Sequence, residues 1–234
     1  MTLFSREWGR LSVLIKGARS RKKNPTAAFE PFALSEFLIY IRKKRELQHF
    51  HSCSLINYFP SIRKDGLRLS AAGAAMELIY KTVPAGTPLP GLFDLTVAYL
   101  KRLEEAEHQP PTYSEKLILM YLLHFLKLMG FSPALLSCVR CGIQDDAISG
   151  FLFSPAAGGR LCPHCAHEAP ERQRYPKEVL QGLLILQKSH INDIADQPLA
   201  YGKVIRNLLT DFLSHCFERN LKLNCLDFYY TIYA

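Results

Sequence analysis

Four cysteines in two pairs, Cys138-Val139-Arg140-Cys141 and Cys162-Pro163-His164-Cys165, constrain this chain more tightly than any other feature. Twenty residues lie between the pairs, giving the pattern C-x₂-C-x₂₀-C-x₂-C. Each C-x₂-C turn directs two thiolates toward one point, and the connecting segment brings the second turn opposite the first. The product is a closed tetrahedral S₄ site suited to Zn²⁺. With every coordination position taken by protein, no place is left for a catalytic water, so the metal reads as structural. Replacement of one thiol by His164 or His167 would give the other common closed set, three cysteines and one histidine. Other cysteine chemistry fits poorly. A redox pair needs one C-x-x-C beside a βαβ pattern, and none is visible. Zinc deaminases also carry P-C-x-x-C, but their acid/base glutamate comes from H-x-E, and no histidine here is followed two residues later by Glu. H-E-x-x-H is absent as well.

The remaining cysteines, Cys53, Cys216 and Cys225, are odd in number, which suits free buried thiols in a reducing compartment better than disulfides. Residues 1–10 are too polar for a secretory signal. The longest apolar run, Leu117 to Met129, is broken by His124 and Lys127 and is shorter than the ~20 residues of a membrane span. A cytoplasmic protein without membrane contact is expected. Charge is the second constraint. The net +8 arises in the first third of the chain: residues 1–70 hold 14 Lys/Arg against 5 Asp/Glu, and residues 71–234 hold 15 against 16. A concentrated basic field attracts polyanions.

Short apolar runs separated by charged turns come first along the chain. Leu11 to Ile15 reads as a strand, and Gly17 opens a basic loop, Arg19-Ser20-Arg21-Lys22-Lys23-Asn24-Pro25. Phe32 to Ile41 and Leu47 to Tyr58 are two further β-like runs, joined by the cationic Arg42-Lys43-Lys44-Arg45. Several short strands within about 60 residues suggest a small barrel of the oligonucleotide-binding (OB) kind. After Phe59-Pro60 the period becomes helical, over Leu67 to Val83, Leu92 to Leu103 and Thr112 to Gly130. In the last of these, Thr112 and Glu115 have the spacing of a capping box, and Leu117, Met120, Tyr121, Leu123 and Leu128 line one face. Pro176 to His190 and Leu199 to Arg219 predict two more helices. The expected fold class is α+β, with an OB-fold-like β-barrel over residues 1–60 and a helical domain over residues 61–234. The four-cysteine zinc module, residues 137–166, is inserted in the second.

Several stretches occur in a telling order. They are Leu3-Phe4-Ser5-Arg6-Glu7-Trp8-Gly9-Arg10, Lys16-Gly17-Ala18-Arg19 and Phe29-Glu30-Pro31-Phe32, then Lys127-Leu128-Met129-Gly130-Phe131-Ser132-Pro133 leading into Cys138-Val139-Arg140-Cys141-Gly142. Gly150-Phe151-Leu152-Phe153-Ser154 and Gly158-Gly159-Arg160-Leu161-Cys162 follow. Together they resemble the RecO family of bacterial recombination mediators. The resemblance implies an N-terminal OB barrel and a C-terminal helical domain that carries zinc in members keeping the four cysteines. It implies a protein that is not an enzyme. The implied activity is binding of single- and double-stranded DNA and annealing of complementary strands. Through RecR and the C-terminal tail of the single-strand-binding protein SSB, it also implies help in loading RecA during RecF-pathway repair. Family members usually begin about fifteen to twenty residues earlier, with a strand. The expectation is therefore either a start assigned late or a barrel that lacks its first strand.

Lys16, Arg19, Arg21, Lys22 and Lys23 on the first loop, and Arg42, Lys43, Lys44 and Arg45 on the second, are the DNA-binding candidates. If both loops open on one barrel face, they line a groove that follows the sugar-phosphate backbone. Phosphate contact alone binds without sequence preference, as strand annealing requires. Arg6 and Arg10 would extend the track. Among the aromatics Trp8, Phe29, Phe32, Phe37, Tyr40 and Phe50, the better base-stacking candidates are Trp8 and Phe29, while the alternation of Phe37 and Ile39 marks barrel core. The implied SSB-tail contact needs an apolar pocket with basic residues, for which Arg140, Lys203, Arg206 and Arg219 are donors of equal standing. The rival class is a zinc-stabilised interaction adaptor whose basic module recognises an acidic protein tail or RNA. A nuclease would need converging carboxylates for Mg²⁺, and the acidic residues are scattered.

Overall fold

Apolar and polar residues alternate through the first strands and build a sheet from them. The computed structural model describes residues 1–15, 26–42, 47–144, 150–167, 169, 171–194, 199–217 and 221–233. Its strands are β1 (Thr2–Ser5), β2 (Gly9–Leu14), β3 (Leu34–Tyr40), β4 (Leu47–Asn57), β5 (Phe151–Ser154), β6 (Gly159–Leu161) and β7 (Gln173–Tyr175). Its helices are α1 (Pro60–Lys64), α2 (Gly66–Thr82), α3 (Pro90–Glu105), α4 (Pro111–Leu128), α5 (Pro163–Ala166), α6 (Lys177–Lys188), α7 (Gly202–Cys216) and α8 (Asn224–Tyr233). The protein is mixed α+β, with strands first and a helical region after them. Two compact units form: residues 1–108 with 225–234, and residues 109–224.

In the first unit the sheet order is β1-β2-β4-β3, with β2 and β4 parallel and the other pairs antiparallel. On β2, Leu11 and Val13 turn into the core while Ser12 and Leu14 are exposed, the period of two that a one-sided sheet demands. Among the described residues the sheet is open, with β1 and β3 as its edges, so the expected closed barrel is not made by these strands. Gly9 takes a φ of +62°, and a Cβ there would overlap the backbone of Thr87. Glycine lets the chain after α2 lie along β2, where the Gly86 N–H donates to the Arg10 carbonyl at 2.8 Å.

The helices of this unit are fixed by local and tertiary caps. Asp65 precedes α2 and accepts from the N–H groups of Leu67 at 2.8 Å and Arg68 at 3.3 Å. Glu104 of α3 serves α1 from outside, accepting from the Ser61 and Ile62 N–H groups at 3.0 and 3.1 Å. The Tyr99 hydroxyl donates to the Ala71 carbonyl at 2.9 Å and ties α3 to α2. On α2, Gly73 leaves room for Cys225: a Cβ there would stand 2.9 Å from the Cys225 Sγ. Glu77 then accepts from the Cys225 N–H at 2.9 Å in the first turn of α8.

The second unit is organised around α4. Thirteen of its eighteen residues are buried, so the one-sided helix of the sequence reading is in fact surrounded. Helices α6 and α7 pack on it. The expected capping box does not form: α4 begins after Pro110 with no side-chain cap. Glu115 instead turns to Gly202 at the start of α7, where its carboxylate occupies the space a Cβ would need. Among the described residues, no helix is long and apolar enough to cross a membrane.

Candidate metal centre and nucleic-acid interface

The connection between the cysteine pairs is a hairpin, not an open loop. Strand β5 pairs with β6 on one side and β7 on the other, and β6 delivers Cys162 directly after Leu161. The segment leading to the first pair docks on β6. The Arg160 N–H donates to the Ala134 carbonyl at 2.8 Å, and the Val139 N–H to the Arg160 carbonyl at 2.9 Å. Gly159 permits that approach, because a Cβ there would overlap the backbone of Ala134. The first turn is closed by the Gly142 N–H on the Cys138 carbonyl and the Cys138 N–H on the Ile143 carbonyl, both at 2.9 Å. In the second, Cys162 caps α5 by accepting from the Cys165 N–H at 3.4 Å, with Pro163 at the first helical position.

These two turns gather all four cysteines. The Sγ atoms of Cys138, Cys141, Cys162 and Cys165 lie within 4.8 Å of one another, and those of Cys141 and Cys162 are 3.7 Å apart. A tetrahedral zinc–thiolate site with bonds near 2.3 Å has S···S edges of about 3.8 Å, so donor set and spacing both fit Zn²⁺. The cluster is made of cysteines alone, and neither His164 nor His167 belongs to it. Cys138 and Cys162 are buried, Cys165 is half-buried and Cys141 is exposed. Burial opposes ionisation of Cys138, but backbone groups of Cys141, Cys162 and Arg140 outweigh it and bring the thiol down to about 6. Cys165 is pushed up to about 12, by the Cys162 side chain first and burial second. The polypeptide thus favours a thiolate at one ligand and opposes it at another, and a bound dication removes that opposition.

Of the nine cations proposed for DNA, Arg42 alone lies among the described residues; Lys16, Arg19, Arg21, Lys22, Lys23, Lys43, Lys44 and Arg45 lie outside them. Arg42 is exposed just beyond β3, and its backbone N–H donates to the Gln48 Oε1 at 2.7 Å. Two further cations have other engagements. Arg6 forms a two-pronged pair with Asp94 at 3.0 and 3.1 Å. Arg10 donates to the Val83 carbonyl at 3.1 Å and lies 4.9 Å from the centre of the Tyr80 ring. Phe29 is likewise occupied, packed against Phe37 and Phe50 at ring separations of 6.2 and 5.5 Å. Trp8 remains exposed. The sequence reading ranks Tyr40 below Trp8 and Phe29 and does not single out His51. The alternation that sends Phe37 and Ile39 inward sends Tyr40 outward, so its signal was present; that of His51 was not.

Of the four possible donors for an SSB tail, three lie among the described residues: Arg140, Lys203 and Arg206. A cavity of about 680 Å³ in the second unit is bounded by Arg172, Tyr175, Asp211 and His215 among others, and by none of those three. Arg206 is turned onto Asn207, and Arg219 lies outside the described residues.

A four-stranded sheet in the cation-rich first third of the chain, followed by helices and a four-cysteine cluster of metal-site geometry, defines a class of α+β proteins with a closed thiolate site. Comparison with known proteins makes the class specific. Residues 1–59 match the family model described as Recombination protein O N terminal, and residues 63–224 match Recombination protein O C terminal. The DNA repair protein RecO of Anaeromyxobacter dehalogenans (strain 2CP-C) is 33% identical over 225 residues, covering 94% of this chain and 85% of the relative. That of Syntrophus aciditrophicus (strain SB) is 29% identical over 233 residues, covering 97% and 88%. That of Pelotomaculum thermopropionicum is 30% identical over 233 residues, covering 95% and 84%. The chain belongs to the RecO family.

Proposed function

We propose that this protein is a DNA-binding mediator of recombinational repair. It binds single- and double-stranded DNA, anneals complementary strands and, with RecR and the SSB C-terminal tail, helps load RecA on SSB-coated single strands in the cytoplasm. The observation that carries this reading is the match of residues 1–59 and 63–224, in order, to the two RecO models. The excess of cations in residues 1–70 supports it, because a sequence-independent annealing factor needs phosphate contacts. In this reading the four-stranded sheet β1-β2-β4-β3 belongs to an OB-like N-terminal domain. DNA contact is assigned to residues 1–60, through the two basic loops, and partner contact to residues 61–234.

Cys138, Cys141, Cys162 and Cys165 would hold zinc as a brace. The closed thiolate set gives the metal no open position for a reacting group. Fluorescence-monitored annealing of complementary, SSB-coated strands tests the proposal. Wild type is expected to anneal, and the variant with Lys22, Lys23, Lys43 and Lys44 all changed to Ala is expected not to. Equal annealing by both would move the DNA site off the basic loops. Failure of the folded, zinc-loaded wild type would overturn the mediator reading.

A further inference from the structure

The ribbon formed by β3 and β4 carries two register shifts, and each leaves one surplus residue on β4. Leu34 pairs with Asn57 and Ser35 with Leu55, which strands Ile56; Leu38 pairs with Ser52 and Ile39 with Phe50, which strands His51. Both surplus residues are exposed. Bulges of this kind re-aim a side chain and are over-represented beside functional sites. The His51 bulge has a visible product. Its ring stands edge-on to Tyr40 with centroids 5.3 Å apart and an interplanar angle of 69°, and Nδ1 is 3.5 Å from the Tyr40 hydroxyl.

The ribbon therefore has two unlike sides. Inward, Phe29, Phe37 and Phe50 pack on one another. Outward, Tyr40 is 59% and Leu38 58% exposed, and the strip ends at Glu36, which accepts from the Ser54 hydroxyl at 3.4 Å. A tyrosine held in place by a neighbouring ring, yet open to solvent, is an amphipathic surface that nothing covers among the described residues.

We propose that Tyr40 and His51, with Leu38 beside them, form a stacking platform for the bases of single-stranded nucleic acid. The proposal rests on the DNA-binding reading above and adds to it where bases, as distinct from phosphates, are held. Charge selects the occupant. Arg42 is exposed two residues beyond Tyr40. Three more cations, Lys43, Lys44 and Arg45, follow it directly in sequence. Those cations are not part of the platform. They draw a phosphate backbone to its edge, where an unpaired strand can turn its bases onto the rings. A duplex cannot, since its bases are already stacked on one another. Every base has a π-face, so the platform accepts any sequence, as annealing requires.

The test is fluorescence anisotropy on the full chain, comparing an oligothymidylate with an abasic strand of equal length. Wild type is expected to bind the base-bearing strand at least about tenfold more tightly. The variant with Tyr40→Ala and His51→Ala should bind both strands equally, with abasic affinity within about twofold of wild type, since phosphate contacts are spared. Tyr40→Phe should keep the preference, because it keeps the ring. Circular dichroism confirms that the variants fold. Wild type binding both strands equally, or a double variant that keeps the preference, would overturn the platform and leave DNA binding standing. Equal loss of both strands in the double variant would overturn it too, by making these residues phosphate contacts. Wild type binding neither strand would bring down the DNA-binding reading itself, and the platform with it.

Discussion

Asp65 does two jobs with one carboxylate. Its Oδ1 caps the first turn of α2, and its Oδ2 lies 3.2 Å from the Nε of Arg68, a residue only 5% exposed. The Nη1 of that guanidinium is buried with no hydrogen-bond partner among the described residues, and Asp65 is an ionic anchor for it. Removing a helix cap costs about 1 kcal/mol. Withdrawing the charge-assisted bond from a buried guanidinium adds about 1–2 kcal/mol, at the low end because Asp65 is itself partly solvated. Asp65→Ala is thus expected to lower unfolding stability by about 2–3 kcal/mol in urea titration. Asp65→Asn separates the two effects. Asparagine caps as well as aspartate, so its loss should be the ion-pair share alone. An Asp65→Ala protein as stable as wild type would show that neither contact matters in solution.

Elements with a regular period are legible in the chain itself. The apolar spacing over residues 67–83, 92–103, 112–130 and 176–190 marks α2, α3, α4 and α6 to within a few residues, and β3 and β4 follow from alternation. The cysteine cluster was legible for a different reason, since C-x₂-C is a local geometry that needs no knowledge of the rest of the chain. What escaped was decided elsewhere in the structure. Strand β1 is four residues long and exists through its pairing with β2, and β5 to β7 are short strands that stabilise one another. Glu115 has the spacing of a capping box but is recruited by the start of α7. The bulge at His51 is a matter of register, which no one-dimensional pattern records. The hairpin module also has a small apolar cluster, Leu161, Ala166 and Ala169 beside the two buried cysteines, so a metal held by the four thiols would supply much of its order. Chelation, or Cys162→Ser, is expected to speed hydrogen exchange over residues 134–166 by at least about tenfold, while β1 to β4 keep their protection. Uniform exchange before and after metal removal would show that the hairpin stands without a metal.

For the whole molecule the organising quantity is charge. A net +8 spread evenly would aid solubility and say little else, but the excess sits in residues 1–70, and the remaining chain is close to neutral. If those cations meet phosphates, their neutralisation must show in the salt dependence of binding, because each contact releases condensed counterions. For single strands the slope of log Kobs against log salt is about −0.7 per phosphate contacted. Changing Lys22, Lys23, Lys43 and Lys44 to Ala should therefore flatten the slope by up to about 2.8. A matched set of exposed lysines from the neutral region, Lys101, Lys127, Lys177 and Lys203, removes the same formal charge and should leave the slope unchanged. The pairing of variants is what gives the measurement its force. Loss of affinity alone could follow from lowered net charge, which acts on every polyanion at long range, whereas a change of slope confined to the first set counts contacts. Equal flattening by both sets would mean that DNA is held by the field of the whole chain and that the basic loops have no privileged role.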